Sequence, residues 1–294
     1  MRIAIVSIKK TLYSTKNITT IAEQKGHEVV FVNPIKCNLI LGENGPTVYY
    51  KNKILTNIDL VLTRIGYVIA DYGLSLVRHL EKICPNVINS SCGIYNAVDK
   101  MRCLQLLTAA KIPIPRTFVT LESGNLPEAV KMVGGVPVII KPLYGSQGKG
   151  IILAESMAAV NSIAETLWGL RQTFLIQEYI AEAKGADIRA FVIGNKVVAS
   201  MRRKARKNDF RSNIHRGGKC EKVELPENTK KTAVNAAKTL KLEIAGVDMM
   251  ETSKGYLIVE VNSSPGFEAL EKITGVNIGE TIVDYAVSCA KKTP

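Results

Sequence analysis

Short apolar runs alternate with helix-length amphipathic stretches through the first third of the chain, and that alternation limits the fold more than any other feature. Arg2–Ser7, Glu28–Val32, Asp59–Arg64 and Val87–Asn89 read as strands, with helices over Ser14–Lys25 and Tyr72–Ile83. Strands interleaved with helices in this way predict a parallel, doubly wound α/β sheet. The first strand-to-helix turn, Ser7-Ile8-Lys9-Lys10, contains no glycine. A dinucleotide fingerprint is therefore absent, which argues against a nicotinamide-dependent enzyme.

A second unit begins near Tyr95 and a third near residue 180, dividing the chain into 1–95, 96–180 and 181–294. The second carries a helix over Asp99–Ala110 with Asp99 as its expected N-cap, the stiff connector Ile112-Pro-Ile-Pro115, and a helix near Leu126–Met132. Strand Val136–Lys141 follows, then the glycine-rich Gly145-Ser-Gln-Gly-Lys-Gly150, strand Ile151–Ala154, helix Ala158–Leu170 and strand Phe174–Ile180. In the third unit, strands Asp187–Ile193 and Lys196–Arg203 meet at Gly194-Asn195, a strong hairpin signal. A strand near Cys220–Leu225, a helix over Glu227–Leu242, strands Ile244–Met250 and Tyr256–Asn262, and helical segments from Phe267 to Ala290 complete the chain.

With 294 residues and 46% hydrophobic content, the chain can bury one large core or two to three smaller ones. Its start lacks a signal-peptide layout, and its apolar runs fall far short of the roughly 18 residues of a membrane span. The six cysteines form neither a C-x-x-C pair nor a zinc spacing, as expected of free thiols in a reducing cytoplasm. His27, His79 and His215 are isolated and make neither a zinc site nor a triad. The net charge of +13 favours anionic partners, whether nucleotides, acidic peptides or nucleic acid, without choosing among them. Much of it lies between Met201 and Lys219, where Asp209 is the single acid among many Lys and Arg. That stretch reads as a solvated charge run, a nucleic-acid patch, or a lid that brings positive charge to an anionic site. Phe210 is its only aromatic, a poor stacking platform for single strands, whereas Gly217-Gly218 permits hinged closure, so the lid is favoured.

The hairpin Ala245–Asn262 carries the most chemistry. With Ser253-Lys254-Gly255 as a three-residue loop, Asp248 falls opposite Glu260. Alternation then puts Asn262 on the face of Glu260 and sends Leu257, Val259 and Val261 into a core. Opposed carboxylates repel, and a divalent cation would remove the conflict. Two carboxylates and an amide oxygen are hard ligands suited to Mg²⁺ or Mn²⁺, although a solvated hairpin face would look the same. The loop Gly145–Gly150 is no P-loop, since a strand follows it, but its glycines let backbone N–H groups approach phosphate. Lys141, which ends the preceding apolar strand, either snorkels or aims a point charge at that phosphate, and Lys100 is a second candidate. Glu178 and Asp187, at neighbouring strand ends, either bind the amino group and ribose of an adenosine or are solvated.

In order, these residues give a lysine, a lysine with a glycine-rich loop, Glu-x-Tyr-Ile, an Asp on the next strand, and Asp…Glu-x-Asn. That order resembles the ATP-grasp superfamily, and within it the RimK family. The likeness runs through Thr11-Leu-Tyr-Ser14, Arg64-Ile-Gly66, Asp99-Lys100, Met132-Val-Gly-Gly135, Gly145-Ser-Gln-Gly148, Gln177-Glu-Tyr-Ile180 and Asp187-Ile-Arg189. It continues through Asp209-Phe-Arg-Ser-Asn213, His215-Arg-Gly-Gly218, Ala245-Gly-Val-Asp248 and Glu260-Val-Asn262, covering nearly the whole chain. The resemblance implies a pre-ATP-grasp domain with a doubly wound parallel sheet, followed by a two-subdomain ATP-grasp fold of α+β type. It implies a cytoplasmic carboxylate–amine ligase that uses ATP and two Mg²⁺ or Mn²⁺ ions to add L-glutamate to the C-terminus of the sixth small-subunit ribosomal protein. It also implies a homo-oligomer, and neither membrane nor direct nucleic-acid binding. On it, Lys100 and Lys141 hold phosphates; Glu178, Tyr179, Ile180 and Asp187 bind adenosine; Arg211, Ser212 and Asn213 help enclose the nucleotide. Asp248, Glu260 and Asn262 hold the metals, and Arg189, Arg203 and Arg216 are the candidates for neutralising charge in the transition state.

Overall fold

The computed structural model describes residues 1–43, 45–66, 69–145, 150–206 and 218–292. Its N-terminal part holds β1 (Arg2–Ser7), α1 (Tyr13–Gln24), β2 (Glu28–Val32), β3 (Cys37–Ile40), β4 (Thr47–Tyr50), β5 (Lys53–Ile54), β6 (Leu60–Arg64), α2 (Ala70–Ile83) and β7 (Val87–Ile88). Strands β2, β1, β6 and β7 lie side by side in that order, all parallel, as the alternation predicts. Strands β3, β4 and β5 form a separate antiparallel sheet that the sequence reading left unassigned. They are two to four residues long, too short for a legible period, and Cys37, Val48 and Tyr50 are buried in a core shared with α2 and the parallel sheet.

The central part holds α3 (Ser91–Val98), α4 (Lys100–Ala109), β8 (Thr117–Phe118), α5 (Leu126–Met132), β9 (Val138–Pro142), β10 (Ile152–Ala154), α6 (Met157–Gly169) and β11 (Phe174–Glu178). Helix α3 was not foreseen; Ser90 caps it by accepting from the Gly93 N–H. Asp99 caps α4 as expected, accepting from the Arg102 N–H at 3.0 Å. Strands β10, β9, β11 and β8 form an antiparallel sheet with α5 and α6 packed on its core residues Val138, Ile140 and Phe174. β11 stops at Glu178, short of the expected Ile180, because Tyr179 and Ile180 lead into a 3₁₀ turn at Ala181–Ala183.

The last part holds β12 (Ala186–Ile193), β13 (Lys196–Lys204), β14 (Lys219–Lys222), α7 (Glu227–Thr239), β15 (Ile244–Thr252), β16 (Gly255–Asn262), α8 (Glu268–Thr274) and α9 (Ile278–Ala290). Its sheet runs β14-β13-β12-β15-β16. Gly194 and Asn195 make the predicted two-residue turn, with Gly194 at φ 55°. One face of this sheet buries Ile188, Val192, Val247 and Met249 under α7, whose Ala233, Ala236 and Ala237 let the helix approach closely. The other face buries Phe191, Ile193 and Met201 in a core shared with α9. That core continues to Ile3, Ile5 and Leu62 of the parallel sheet, so the C-terminal helix covers a face of the N-terminal sheet. Each such side chain contributes about 1.5–3 kcal/mol on burial, which binds the first and last parts together.

The β15–β16 hairpin corrects the expected loop. Thr252 pairs with Gly255, so the turn is the two residues Ser253 and Lys254 rather than three. A bulge at Val259 then restores the register, and Asp248 still pairs with Glu260. The bulge also corrects the expected core face on the turn side of Val259, while Val261 is buried as expected. Ile258 and Val261, three residues apart, both enter the core under α7, while Leu257 and Val259 do not.

Candidate active site

Strand alternation makes one face of the last sheet change character along its length. Phe191 and Ile193 of β12 lie in the core with α9; on the same face, earlier in the strand, stand Arg189 and Asp187. Register places Arg203 of β13 opposite Asp187, and Asp248 of β15 opposite Arg189. The four side chains form a continuous network. Arg189 donates to Asp248 through Nε at 2.7 Å and Nη2 at 2.6 Å. Arg203 donates to Asp187 through Nε and Nη2, both at 2.6 Å, and its Nη2 lies 3.1 Å from Asp248 Oδ2. Burial by itself would raise the Asp248 carboxyl, but Arg189 and Arg203 outweigh it and hold the group below the usual carboxylate range. Burial opposes the charge on Arg203 as well, and Asp248 and Asp187 together raise its pKa. The conflict foreseen between Asp248 and Glu260 is thus met, on the Asp248 side, by two guanidinium groups.

Glu260 has a different environment. Its carboxylate makes no hydrogen bond among the described residues, and burial raises its pKa against the pull of Lys100, with Asp248 adding to the rise. Asn262 donates its amide to Asp248 Oδ2 at 3.2 Å and to the Gly246 carbonyl at 3.4 Å, which leaves its Oδ1 as a second open oxygen. Among the described residues no three His, Cys, Asp or Glu side chains form a metal cluster; the donor set is two carboxylates and an amide. Glu260 and Asn262 offer hard oxygens to a divalent cation as they stand, whereas the Asp248 oxygens are already bonded to arginine. The residues fit Mg²⁺, with Asp248 sharing its charge.

Two lysines from the central part face Glu260 electrostatically. Lys141, on β9, donates to Gln177 Oε1 at 2.6 Å, and burial lowers its pKa to about 8, opposed by Glu260. Lys100, in the first turn of α4, donates to the Gly145 carbonyl at 3.0 Å, and burial lowers it too, again opposed by Glu260. A partly desolvated lysine is primed to gain from a polyanion, because a phosphate supplies the counter-charge that burial withholds. Glu178 is engaged differently from the expectation. Arg116 grips it through Nε at 3.0 Å and Nη2 at 2.9 Å, and holds its carboxyl below the usual range. The Tyr179 and Ile180 carbonyls accept from the turn that follows. A cleft of about 350 Å³ opens beside Asp187, between Arg202, Glu251 and Ser253. Arg211, Ser212, Asn213 and Arg216 lie outside the described residues, as do 146–149 of the glycine-rich loop.

Sequence reasoning missed Arg116, the Gln177 link to Lys141, and Asn89. The Asn89 side chain donates to the Ile244 and Ser263 carbonyls at 2.7 and 2.8 Å and accepts from the Glu243 and Ile244 N–H groups at 2.9 Å. It thereby fixes the start of β15 and the end of β16 to the parallel sheet. No local pattern marks these partners, because each lies far away in sequence.

A parallel-sheet domain followed by two antiparallel sheets, with paired lysines facing a carboxylate hairpin, is the arrangement of the ATP-grasp ligases. The chain's residues 97–286 match the RimK-like ATP-grasp domain and residues 1–94 the RimK pre-ATP-grasp domain. The chain belongs to the RimK-like ATP-grasp family, and it is an ATP-dependent, ADP-forming ligase. The protein named probable alpha-L-glutamate ligase 1 of Shewanella frigidimarina is 43% identical over 293 residues, covering 100% of this chain and 97% of that one. The probable alpha-L-glutamate ligase of Vibrio parahaemolyticus is 42% identical over 291 residues, 99% and 97% of the two chains. Among solved structures, the ATP-grasp ligase PsnB complexed with a phosphomimetic variant of its minimal precursor, Mg and ADP superposes with a TM-score of 0.77 at 21% identity, over 98% of both chains. The RimK domain protein ATP-grasp of Sphaerobacter thermophilus gives 0.76 at 22%, over 97% and 99%. Among the described residues no helix is long and apolar enough to cross a membrane.

Proposed function

We propose that this chain is a glutamate ligase that extends the C-terminus of the sixth small-subunit ribosomal protein. The observation that carries the ligase chemistry is the electrostatic pull of Lys100 on α4 and Lys141 on β9 upon Glu260 of the Asp248–Glu260–Asn262 hairpin. Glutamate is the substrate named for the relatives that match over essentially the full chain. The ribosomal acceptor rests on the RimK likeness, and the same likeness favours a homo-oligomer. The excess of basic residues suits a product whose tail grows more acidic with each addition.

In the first step a carboxylate oxygen of the acceptor attacks the γ-phosphorus of ATP, and the bond to the β-phosphate oxygen breaks, giving an acyl-phosphate and ADP. The glutamate amine then adds to the acyl carbon, loses a proton, and the tetrahedral oxyanion collapses with release of phosphate. Lys100 and Lys141 bind phosphate oxygens, and Asp187 and Glu178 take the adenosine, with Arg116 as the partner Glu178 must share. Glu260, Asn262 and Asp248 would hold Mg²⁺, which would supply charge neutralisation at the phosphates. PsnB, which shares the fold, was solved with Mg and ADP. Arg189 and Arg203, and Arg216 in the basic stretch, are the cations assigned to the negative charge that develops.

The test is mass spectrometry of the purified ribosomal protein after incubation with the enzyme, ATP, Mg²⁺ and L-glutamate. A ladder of glutamyl additions that vanishes without ATP supports the reading. An unmodified protein with glutamate-stimulated ADP release intact rejects this acceptor and leaves the ligase. Absence of both rejects glutamate.

A further inference from the structure

Arg64 lies next to the charged network but has no carboxylate of its own. It ends β6, and its Nη2 donates to the Pro265 carbonyl at 2.7 Å, the Ser14 hydroxyl at 3.1 Å and the Ser264 carbonyl at 3.4 Å. All three acceptors are neutral. Burial draws its pKa down to about 10, and no charged group among the described residues offsets that effect. Its Nε is buried without a hydrogen bond, and so is the Ser264 hydroxyl. Buried polar groups in native proteins almost always have partners, so two orphans beside one another mark a place where a ligand atom belongs. A cation kept in such a place without an anion is costly unless an anion arrives.

A second feature points the same way. The N-cap of helix α1 is Leu12, which provides no side-chain cap, and the first turn contains no acidic residue. The amide groups of that turn are left to an external acceptor at the positive end of the helix dipole. Ser14, in the same turn, accepts from Arg64 and keeps its own hydroxyl hydrogen to donate. The place also borders the reacting groups. Ser264 follows Asn262 by two residues, and Pro265 packs so closely on Gly246 that an added Cβ there would lie 2.7 Å from Pro265 and 3.6 Å from Arg189 Nε.

We propose that Arg64, with the Ser14 and Ser264 hydroxyls and the open N-terminus of α1, binds a non-reacting carboxylate of the acidic amino-acid substrate. A guanidinium offers forked donors that match a carboxylate, and a hydroxyl on either side fixes its plane. The inference rests on the ligase reading for the identity of the substrate, but it makes a separate claim about binding.

The experiment is calorimetric titration of L-glutamate into the full chain loaded with Mg²⁺ and a non-hydrolysable ATP analogue, for the wild type, Arg64→Lys and Arg64→Met. Loss of a charge-assisted pair should weaken glutamate about 10- to 100-fold in Arg64→Met. The affinity for the ATP analogue should stay within about twofold, and Arg64→Lys should recover part of the loss. L-glutamine and the α-amide of glutamate identify the carboxylate: one of them should bind the wild type as poorly as Arg64→Met binds glutamate, and lose nothing more in the variant. Unchanged glutamate binding in Arg64→Met, or no binding to the wild type, overturns the proposal. So does a parallel loss of ATP-analogue affinity and thermal stability, which would make Arg64 only a clamp between the parallel sheet and the Ser264–Pro265 turn. Binding that depends on Arg64 without any glutamate turnover keeps this inference and removes the glutamate-ligase reading instead.

Discussion

Replacing Arg203 with methionine separates two roles that a buried arginine beside an active site can have. Arg203 is 5% exposed and makes two hydrogen bonds of 2.6 Å to Asp187, with a third approach of 3.1 Å to Asp248. Methionine keeps the length and apolar stem but removes every donor. Asp248 retains Arg189, whereas Asp187, only 9% exposed, loses its one partner among the described residues. Breaking one side of a buried pair costs about 3–5 kcal/mol, because the remaining charge is left uncompensated. With a shift of about 2–4 °C per kcal/mol for chains somewhat shorter than this one, the midpoint should fall by roughly 6–20 °C. Urea unfolding followed by circular dichroism measures the loss directly. The double variant Asp187→Asn, Arg203→Met removes both charges and should recover about 1–2 kcal/mol relative to Arg203→Met. A single variant within about 1 kcal/mol of the wild type, or a double variant no more stable than the single, would refute the reasoning. Arg203 would then act on developing charge alone, without also holding Asp187 and Asp248 in place.

Glu260→Gln should lower ligation by about 10²–10³ at saturating ATP while leaving the unfolding midpoint unchanged or higher. The sign follows from its raised pKa: the charged form is disfavoured in the fold, so a neutral isostere relieves a penalty; a falling midpoint or retained ligation counts against the metal assignment. For Lys141, lowered to about 8, the free enzyme loses the ammonium as pH rises through that value, so the KM for ATP should climb between pH 7 and 9.5. Lys141→Arg, which stays charged, should flatten the profile; a flat wild-type profile would remove Lys141 from phosphate binding. Asn89→Ala strands two carbonyls and two N–H groups at the junction with β15 and should cost about 2–4 kcal/mol by denaturant titration, with a cost below about 1 kcal/mol disproving its anchoring role.

The parallel sheet and the pairing of Asp248 with Glu260 were readable before any coordinates, because period and turn chemistry are local properties of the chain. Even the error in the hairpin was local: Ser253-Lys254-Gly255 fits a three-residue loop as well as a two-residue turn followed by a bulge. Only the packing of Ile258 and Val261 under α7 distinguishes them, since the bulge brings both to the core face. Lys100, Lys141 and Glu260 could each be nominated from sequence, yet their mutual influence arises only when the central sheet and the hairpin approach one another. The partners that set charge at the site depend on the tertiary fold throughout. Arg116 reaches Glu178 across 62 residues, Arg189 reaches Asp248 across 59, and Asn89 reaches Ser263 across 174. Sequence determined which residues can carry phosphate and metal chemistry, because that is a matter of functional groups and local strand period. The fold alone decided which carboxylates are compensated and which remain open, because electrostatic compensation depends on distance in space and on the water that packing excludes.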